Sequence, residues 1–597
     1  MAETAEKHAM EQSVAEQKQS SRTGARAIVE SLQAGGVEIV FGYSGGGTST
    51  LVHEVATMGM ANMNGRTEMG SAWMSYGYNR VKGRAASAYL VHCVGALHAS
   101  PIVYAAKTDG TPLLAMDVSL DSALDFREGL QDSIELFHAL KPISKHASKV
   151  VTSDDVPLAV RQALLAANTG RPGPAVLDFA YQSLNGSTSC PAEPLNLPRH
   201  PAASRETIED VLAMIQAAER PVLFVGGGVH MAGASAELQD FAEKLQIPVV
   251  CTSWGGRGVV SDDHPLFGGV VGSFGWTSGN DIIQRSDLWV TVGVSFSQMT
   301  TGAWNLVKPK RVIQIDVDPN QLGKIFEPTI GVTGHAKVVL RQLIEQVEEK
   351  GLKPTADGTI VDEVATSKQE WYDYLGTLAD EGGDPINQYY IVKKIAEAAP
   401  DDAIIVGDSG THAYVLYRSY HYRSSVPMAV GSRYMSLGAG LPVAIGAKLA
   451  APERTVICFH GDAGFYYSFA ELSTLAERNI KVIVIVDNNR ALAANRAGLS
   501  LQGIVNPWVD LPETTDFVTV AKGLGLEAER VSSADDLEGA LQRALAAKGS
   551  YVLDVWSDPE TRVRRAIKGV IPILTDRKPV QSAAKHFSPP LEGSWPA

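Results

Sequence analysis

Apolar residues in this chain gather in short runs, separated by stretches of helical period, with glycine or Asp/Asn clusters at the run ends. The clearest example lies between Thr455 and Arg496. Thr455 to Phe459 has the length and composition of a buried strand, and it stops at the turn His460-Gly461-Asp462-Ala463-Gly464. Phe469 to Arg478 is predicted helical and closes at Asn479; a second β-branched run, Val482 to Val486, ends at Asp487-Asn488-Asn489. Such a strand–helix–strand unit is right-handed and joins parallel neighbours. Asp462 and Asn489 then project from the carboxyl edge of one sheet, where open α/β sheets bind ligands. A carboxylate and an amide oxygen 27 residues apart suit a hard cation such as Mg2+. Asp and Asn are also ordinary turn residues, and the pattern alone leaves both readings open.

The same alternation runs through the rest of the chain. A helical stretch (TGARAIVESLQAGG) precedes a strand at Val37 to Phe41 and the turn Gly42 to Gly47, which reads as a tight turn before it reads as a phosphate cradle. A short strand is predicted to end at Thr67-Glu68 ahead of a helix, and Lys145 to Leu177 reads as helix then strand. Asn185 to Ala203, rich in Pro, Ser and Asn, reads as a linker. Beyond it come a helix at Ile208 to Ala218 and strands at Pro221 to Phe224, Pro248 to Cys251, Leu288 to Val292 and Val312 to Ile315. A polar crossing with a Trp-bearing helix, about Leu352 to Gly383, leads to a third unit with a helix at Tyr389 to Ala398 and a strand at Ala403 to Val406. The expected fold class is α/β, with three doubly wound parallel-sheet domains at 22–184, 204–350 and 384–557, a polar N-terminal extension at 1–21 and a C-terminal tail at 558–597. The tail, apolar at Val570 to Leu574 and carrying Trp595, is expected to pack over the active-site mouth or on a neighbouring subunit.

A length of 597 residues agrees with three or four domains, and 45% apolar with 20% charged residues is an ordinary soluble composition. A net charge of −14 argues against nucleic acid or anionic membrane as the main partner, so an anionic ligand needs a metal, a helix N-terminus or local cations. Four scattered cysteines, without metal-ligand spacing, point to a reduced, cytoplasmic setting. No apolar run is long enough to span a bilayer, and the first twenty residues lack the apolar core of a secretory signal.

GDAG at Gly461 followed by NN at Asn488 resembles the GDG…NN signature of thiamine-diphosphate enzymes of the acetohydroxyacid synthase and pyruvate oxidase type. The resemblance implies that Asp462, Asn489 and the carbonyl of Ala491 ligate Mg2+, with Gly461, Ala463 and Gly464 against the diphosphate. It assigns 22–184 to the aminopyrimidine, 204–350 to a Rossmann-like centre and 384–557 to the diphosphate. Gly410, Thr411 and His412 map to a turn that contacts the diphosphate. Leu437, before Gly438-Ala439-Gly440, maps to the residue that wedges between the two cofactor rings. Read alone, Glu68 is a helix-start carboxylate. In the family a Glu at that place hydrogen-bonds the aminopyrimidine and drives its imino tautomer, whose exocyclic nitrogen takes the thiazolium proton. The implied active sites lie between subunits of a homodimer or homotetramer. The middle domain of relatives holds FAD, ADP or nothing; Gly272, Asp316 and Asp318 agree with the nucleotide-binding members, while Gly226 to Gly228 after a strand are only a weak nucleotide signal.

Where the family has SGPG, this chain has His92-Cys93-Val94-Gly95. TEMGSAWM at Thr67, VHCVGA at Val91, GSFGWTSGND at Gly272 and Tyr466-Tyr467 resemble the cyclohexane-1,2-dione hydrolase branch of the family. That branch implies hydrolytic cleavage of an α-diketone, with His92 and Asn495 in the active site and Gln131 on the substrate side. Its glycine-turn histidines are replaced here by Gly46 and by Ser49 or Thr50. Cys93 reads as a buried filler. The substrate expected is a small carbonyl compound. Competing reactions are 2-keto acid decarboxylation or carboligation, 2-hydroxyacyl-CoA lyase chemistry, flavin-dependent 2-keto acid oxidation, and a cofactor-binding paralogue without catalysis.

Overall fold

Adjacent residues of the central strands face different cores. Val456 and Cys458 belong to one apolar cluster and Ile457 and Phe459 to another, so strand Val456–Gly461 is covered on both faces. That double burial produces the continuous apolar runs seen in the sequence. The computed structural model describes residues 22–124, 127, 134–302, 304–355, 359–379, 382–424, 434–500 and 503–561. The extension 1–21, Gln131 and the tail from 562 onward lie outside these residues.

Three parallel sheets follow one another along the chain. The first comprises β1 (Ile39–Gly42), β2 (Ala61–Asn64), β3 (Ser87–His92), β4 (Leu113–Ser119), β5 (His146–Val150) and β6 (Pro174–Ala180), in the order β2-β1-β3-β4-β6-β5. The second holds β7 (Pro221–Val225), β8 (Val249–Thr252), β9 (Phe267–Val271), β10 (Leu288–Val292), β11 (Arg311–Asp316) and β12 (Ile330–Thr333), in the order β9-β8-β7-β10-β11-β12. The third holds β13 (Ile404–Gly407), β14 (Val456–Gly461), β15 (Ile483–Asn488), β16 (Glu527–Val531) and β17 (Tyr551–Trp556), in the order β13-β14-β15-β17-β16. Helices flank each sheet, as the α/β reading requires.

Several boundaries differ from the sequence expectation. Glu68 does not end a strand: β2 stops at Asn64, and Glu68 opens helix α1 (Glu68–Lys82) behind a Thr67 cap. The stretch from Lys145 begins with β5, whose half-exposed residues hide its pattern. The polar crossing does carry the expected Trp-bearing helix, α2 (Thr359–Ala379), anchored by the fully buried Trp371. Helix α3 (Thr411–Ser419) follows β13, and α4 (Gly440–Ala450) precedes β14. The expected turn at Gly461 is tighter than predicted, because α5 (Asp462–Ser468) starts directly at Asp462. A carboxylate in the first helical turn complements the exposed N–H groups there, so the helix starts as soon as the strand ends. A single 3-10 turn, Phe469–Glu471, joins α5 to α6 (Leu472–Arg478).

The first and third sheets share one apolar cluster, in which Trp73 and Met74 of α1 meet Val443 and Ala444 of α4. The two helices approach backbone to backbone. A Cβ on Gly77 would stand 2.3 Å from the Val443 carbonyl oxygen, and one on Gly446 only 1.9 Å from that of Met74. The second and third sheets are joined by a fully buried ion pair. Arg257 meets Asp262 at 2.6 and 2.8 Å and donates to the carbonyls of Tyr417 and Tyr420.

Candidate active site

Parallel pairing of Gly461 with Asp487 brings the ends of β14 and β15 side by side, so Asp462 and Asn489 leave the sheet at one corner. Asp462, Asn489 and Ala491 are all buried. Asp462 Oδ1 accepts the Ala463 N–H at 2.6 Å, and Oδ2 accepts the Arg490 N–H at 2.5 Å. Asn489 Oδ1 accepts from Ala491 N–H at 3.1 Å, while its Nδ2 donates to Asp487 Oδ2 at 3.2 Å. Arg490 takes a left-handed φ of 55°, which bends the chain back over the carboxylate. Burial pushes the Asp462 carboxyl up to about 7 against those N–H donors, and burial does the same to Asp487. A carboxylate, an amide and a main-chain carbonyl form a hard-oxygen donor set of the kind Mg2+ takes.

Two further turns reach the same sheet edge. Beyond β13, Gly410 caps α3, whose first residues are Thr411 and His412. His412 is buried, its ring packed against Gly410 and Gly461, and its Nε2 has no hydrogen-bond partner. Burial, then the neighbouring His460, holds its pKa down at about 3, so it is a neutral donor or acceptor. An orphaned imidazole nitrogen beside a helix N-terminus fits a phosphate oxygen. The second turn carries the half-buried Leu437. It is fixed by Asp408, which accepts the N–H groups of Gly438 at 3.2 Å and Gly440 at 2.9 Å. A Cβ on Gly464 would fall 2.0 Å from Asp408 Oδ2, so the three turns interlock. Gly410, Thr411, His412, Leu437, Gly461, Asp462, Ala463, Gly464, Asn489 and Ala491 thus share one end of the third sheet.

The first domain holds a separate group. Thr67 Oγ1 caps α1 by accepting the Gly70 N–H at 2.8 Å, which sets Glu68 at the helix start. Glu68 is half-buried against Gly95, with Oε2 3.2 Å from His98 Nδ1. His92 ends β3, and its Nδ1 lies 2.6 Å from the Val118 carbonyl oxygen. A carbonyl can only accept, so Nδ1 carries a proton and Nε2 is the ring nitrogen left for other partners. The ring lies over Gly45 and Gly47, where any side chain would collide with it. In this chain the glycine turn makes room for His92. Cys93, buried with φ 45°, turns β3 sharply into the short helix Val94–His98.

Among the described residues no hydrogen bond or ion pair joins Glu68 or His92 to the Asp462–Asn489 corner. Asn495 lies exposed in the helix Ala493–Ser500, and Gln131 falls outside the described residues. Sequence reading assigned no role to Asp487, buried because its strand is covered on both faces, or to Glu471, a buried carboxylate in a helical stretch that also carries the exposed Glu477. At the carboxyl edge of the second sheet lies a cavity of about 260 Å³. Gly226, Gly227 and Gly228 line it, as do Asp316, Arg171 and His335. Gly226 and Gly228 also touch Gly293, so these glycines serve backbone packing as well. Gly272 and Asp318 do not line this cavity.

Three family profiles match the chain in order. They are the thiamine pyrophosphate enzyme N-terminal TPP binding domain at residues 22–138, the central domain at 208–343 and the C-terminal TPP binding domain at 408–555. The probable acetolactate synthase large subunit of Methanocaldococcus jannaschii is 30% identical over 90% of this chain and 92% of its own length. The acetolactate synthase isozyme 1 large subunit of Escherichia coli is 29% identical over 91% of this chain and 95% of its own. For acetolactate synthase 1, chloroplastic, of Zea mays the identity is 30%, over 89% and 85%. With its three profiles in order and its relatives matched nearly end to end, the chain belongs to the thiamine-diphosphate-dependent enzymes of the acetohydroxyacid synthase and pyruvate oxidase type.

Proposed function

We propose that this enzyme joins two carbonyl compounds through a new C–C bond, taking a 2-keto acid or related α-dicarbonyl as donor. The observation that carries the reading is the Asp462–Asn489–Ala491 corner, with the orphaned His412 nitrogen beside it. Mg2+ would be held by Asp462, Asn489 and the Ala491 carbonyl, and the diphosphate by the turns at Gly410 and Gly461 and by His412. Leu437 would set the angle between the cofactor rings. Bound there, thiamine diphosphate supplies a carbon nucleophile and an electron sink beside the carbonyl. Glu68 would hold and return a proton at the aminopyrimidine nitrogen, its side chain seated in the space that Gly95 leaves. His92 would accept a proton at Nε2 or orient the substrate oxygen, with Asn495 and Gln131 at the substrate side. Active sites would be completed between subunits of a homodimer or homotetramer, as the family resemblance implies. The cavity of the second domain would take FAD or ADP as a structural cofactor.

The relatives' names, acetolactate synthases, favour bond formation. Hydrolytic cleavage of an α-diketone is the second reading. It is favoured by His92, whose Nδ1 is held by the Val118 carbonyl so that Nε2 is the nitrogen that would meet a water or substrate oxygen. The test is a panel of 2-keto acids, cyclic α-diketones and 2-hydroxyacyl thioesters, with thiamine diphosphate and Mg2+ added and products identified by mass. A product uniting two carbonyl units is expected. A ring-opened acid carrying solvent oxygen would replace the first reading with the second. Full turnover by Glu68→Gln would overturn both.

A further inference from the structure

Glu471 is 1% exposed and belongs to the third domain, yet the main-chain N–H groups it accepts belong to the first. Its Oε1 accepts the Arg66 N–H at 2.8 Å, the Thr67 N–H points to the same carboxylate, and Oε2 accepts the Thr474 hydroxyl at 2.8 Å. The Arg66 side chain ties down the same segment, with Nε donating to Ser473 Oγ at 2.7 Å and the guanidinium paired with Glu477. Gly70, one turn into α1, leaves the space the carboxylate fills, since a Cβ there would stand 2.0 Å from Glu471 Oε1. Burying a carboxylate is costly, and burial pushes this one above its ordinary range. Ordinary packing needs only an apolar side chain here, as the neighbouring Leu472 and Leu475 show. What the carboxylate adds is a fixed acceptor for the two main-chain N–H groups directly before Glu68.

We propose that Glu471 is a positioning residue for Glu68: it clamps the Arg66–Thr67 backbone and so fixes the direction in which the Glu68 carboxyl leaves α1. The clamp joins the stretch that begins at Asp462 to the start of α1, and it rests on the proposed role of Glu68. Loss of the clamp should leave Mg2+ and diphosphate affinity nearly unchanged while slowing proton transfer at the bound cofactor.

Two measurements test this on the full-length protein. In the cofactor-free protein, amide hydrogen exchange of the segment around Arg66 and Thr67 should rise at least tenfold in Glu471→Ala and stay near wild type in Glu471→Gln. The Gln side chain can still accept at Oε1 and donate to Thr474. With thiamine diphosphate and Mg2+ bound, deuterium exchange at the thiazolium carbon should fall at least tenfold in Glu471→Ala and recover in Glu471→Gln. Cofactor affinity should change less than threefold. If Glu471→Ala fails to fold, Gly70→Ala displaces the carboxylate instead and should slow the same exchange. Unchanged amide exchange, or full thiazolium exchange in a folded Glu471→Ala or Gly70→Ala protein, overturns the proposal. Full thiazolium exchange in Glu68→Gln overturns the role of Glu68 itself, and the amide measurement then separates that failure from failure of the clamp.

Discussion

The Asp462 carboxylate and the Arg490 amide meet at 2.5 Å across the ends of two parallel strands, with Arg490 in a left-handed turn. The Arg490 guanidinium lies 4.1 Å over Trp556, which Arg530 covers from 4.9 Å. That stack holds a side chain whose backbone is otherwise strained, and the backbone in turn shapes the proposed metal loop.

Removing the carboxylate tests the corner most directly. Asp462→Ala should weaken Mg2+-dependent binding of thiamine diphosphate by roughly 100-fold or more, since it deletes the one anionic ligand of the set. Isothermal titration with and without Mg2+ reads the change, and unaltered affinity would place the metal elsewhere.

Glu68→Gln keeps the shape of the helix start but cannot exchange a proton. Turnover should fall by about 10²- to 10⁴-fold, the usual contribution of a positioned acid–base group. Cofactor affinity should stay within a few-fold. Parallel loss of binding would show that Glu68 serves mainly to seat the cofactor.

The Arg257–Asp262 pair carries stability rather than chemistry. Both side chains are at most 1% exposed. Asp262→Ala would leave a buried guanidinium unpaired, at a cost of about 3–5 kcal/mol. Chemical denaturation checks this. A cost below about 1 kcal/mol would mean that the Tyr417 and Tyr420 carbonyls alone satisfy the charge.

Two histidines of the second domain should make stability depend on pH. Burial depresses His230 to about 4, with Arg80 adding to the effect, and burial, His200 and Lys337 depress His335 to about 4. A depressed histidine binds fewer protons folded than unfolded, so its contribution is present above about pH 6.5 and is lost as pH falls toward 4. His230→Gln and His335→Gln should each flatten the fall in melting temperature between pH 7 and pH 4.5. A slope identical to wild type in both would rule these groups out.

A backbone contact offers a further check on how the domains join. Gly446→Ala places a methyl 1.9 Å from the Met74 carbonyl oxygen, which cannot rotate away. A loss of about 1–3 kcal/mol, typical of overpacking, is expected in denaturant unfolding. Wild-type stability would mean that α1 and α4 can slide apart freely.

The sequence by itself determined the alternating strand and helix pattern, because strands buried on both faces must be apolar throughout. It also determined the Asp462–Asn489 corner, because a strand–helix–strand crossover puts both strand ends on the same edge whatever surrounds them. His412 and Leu437 reach that edge for the same reason. Only the tertiary structure decided the rest. That the glycine turn at Gly45 and Gly47 houses the ring of His92 depends on two strands meeting in space. The buried Glu471, over 400 residues along the chain from Arg66, leaves no local periodicity to betray its partner. Glu68 as a helix start was legible beside its Thr67 cap, but the clamp on the preceding backbone comes from another domain and was not. Local pattern encodes which faces are buried; contacts between distant segments decide what those faces hold in place.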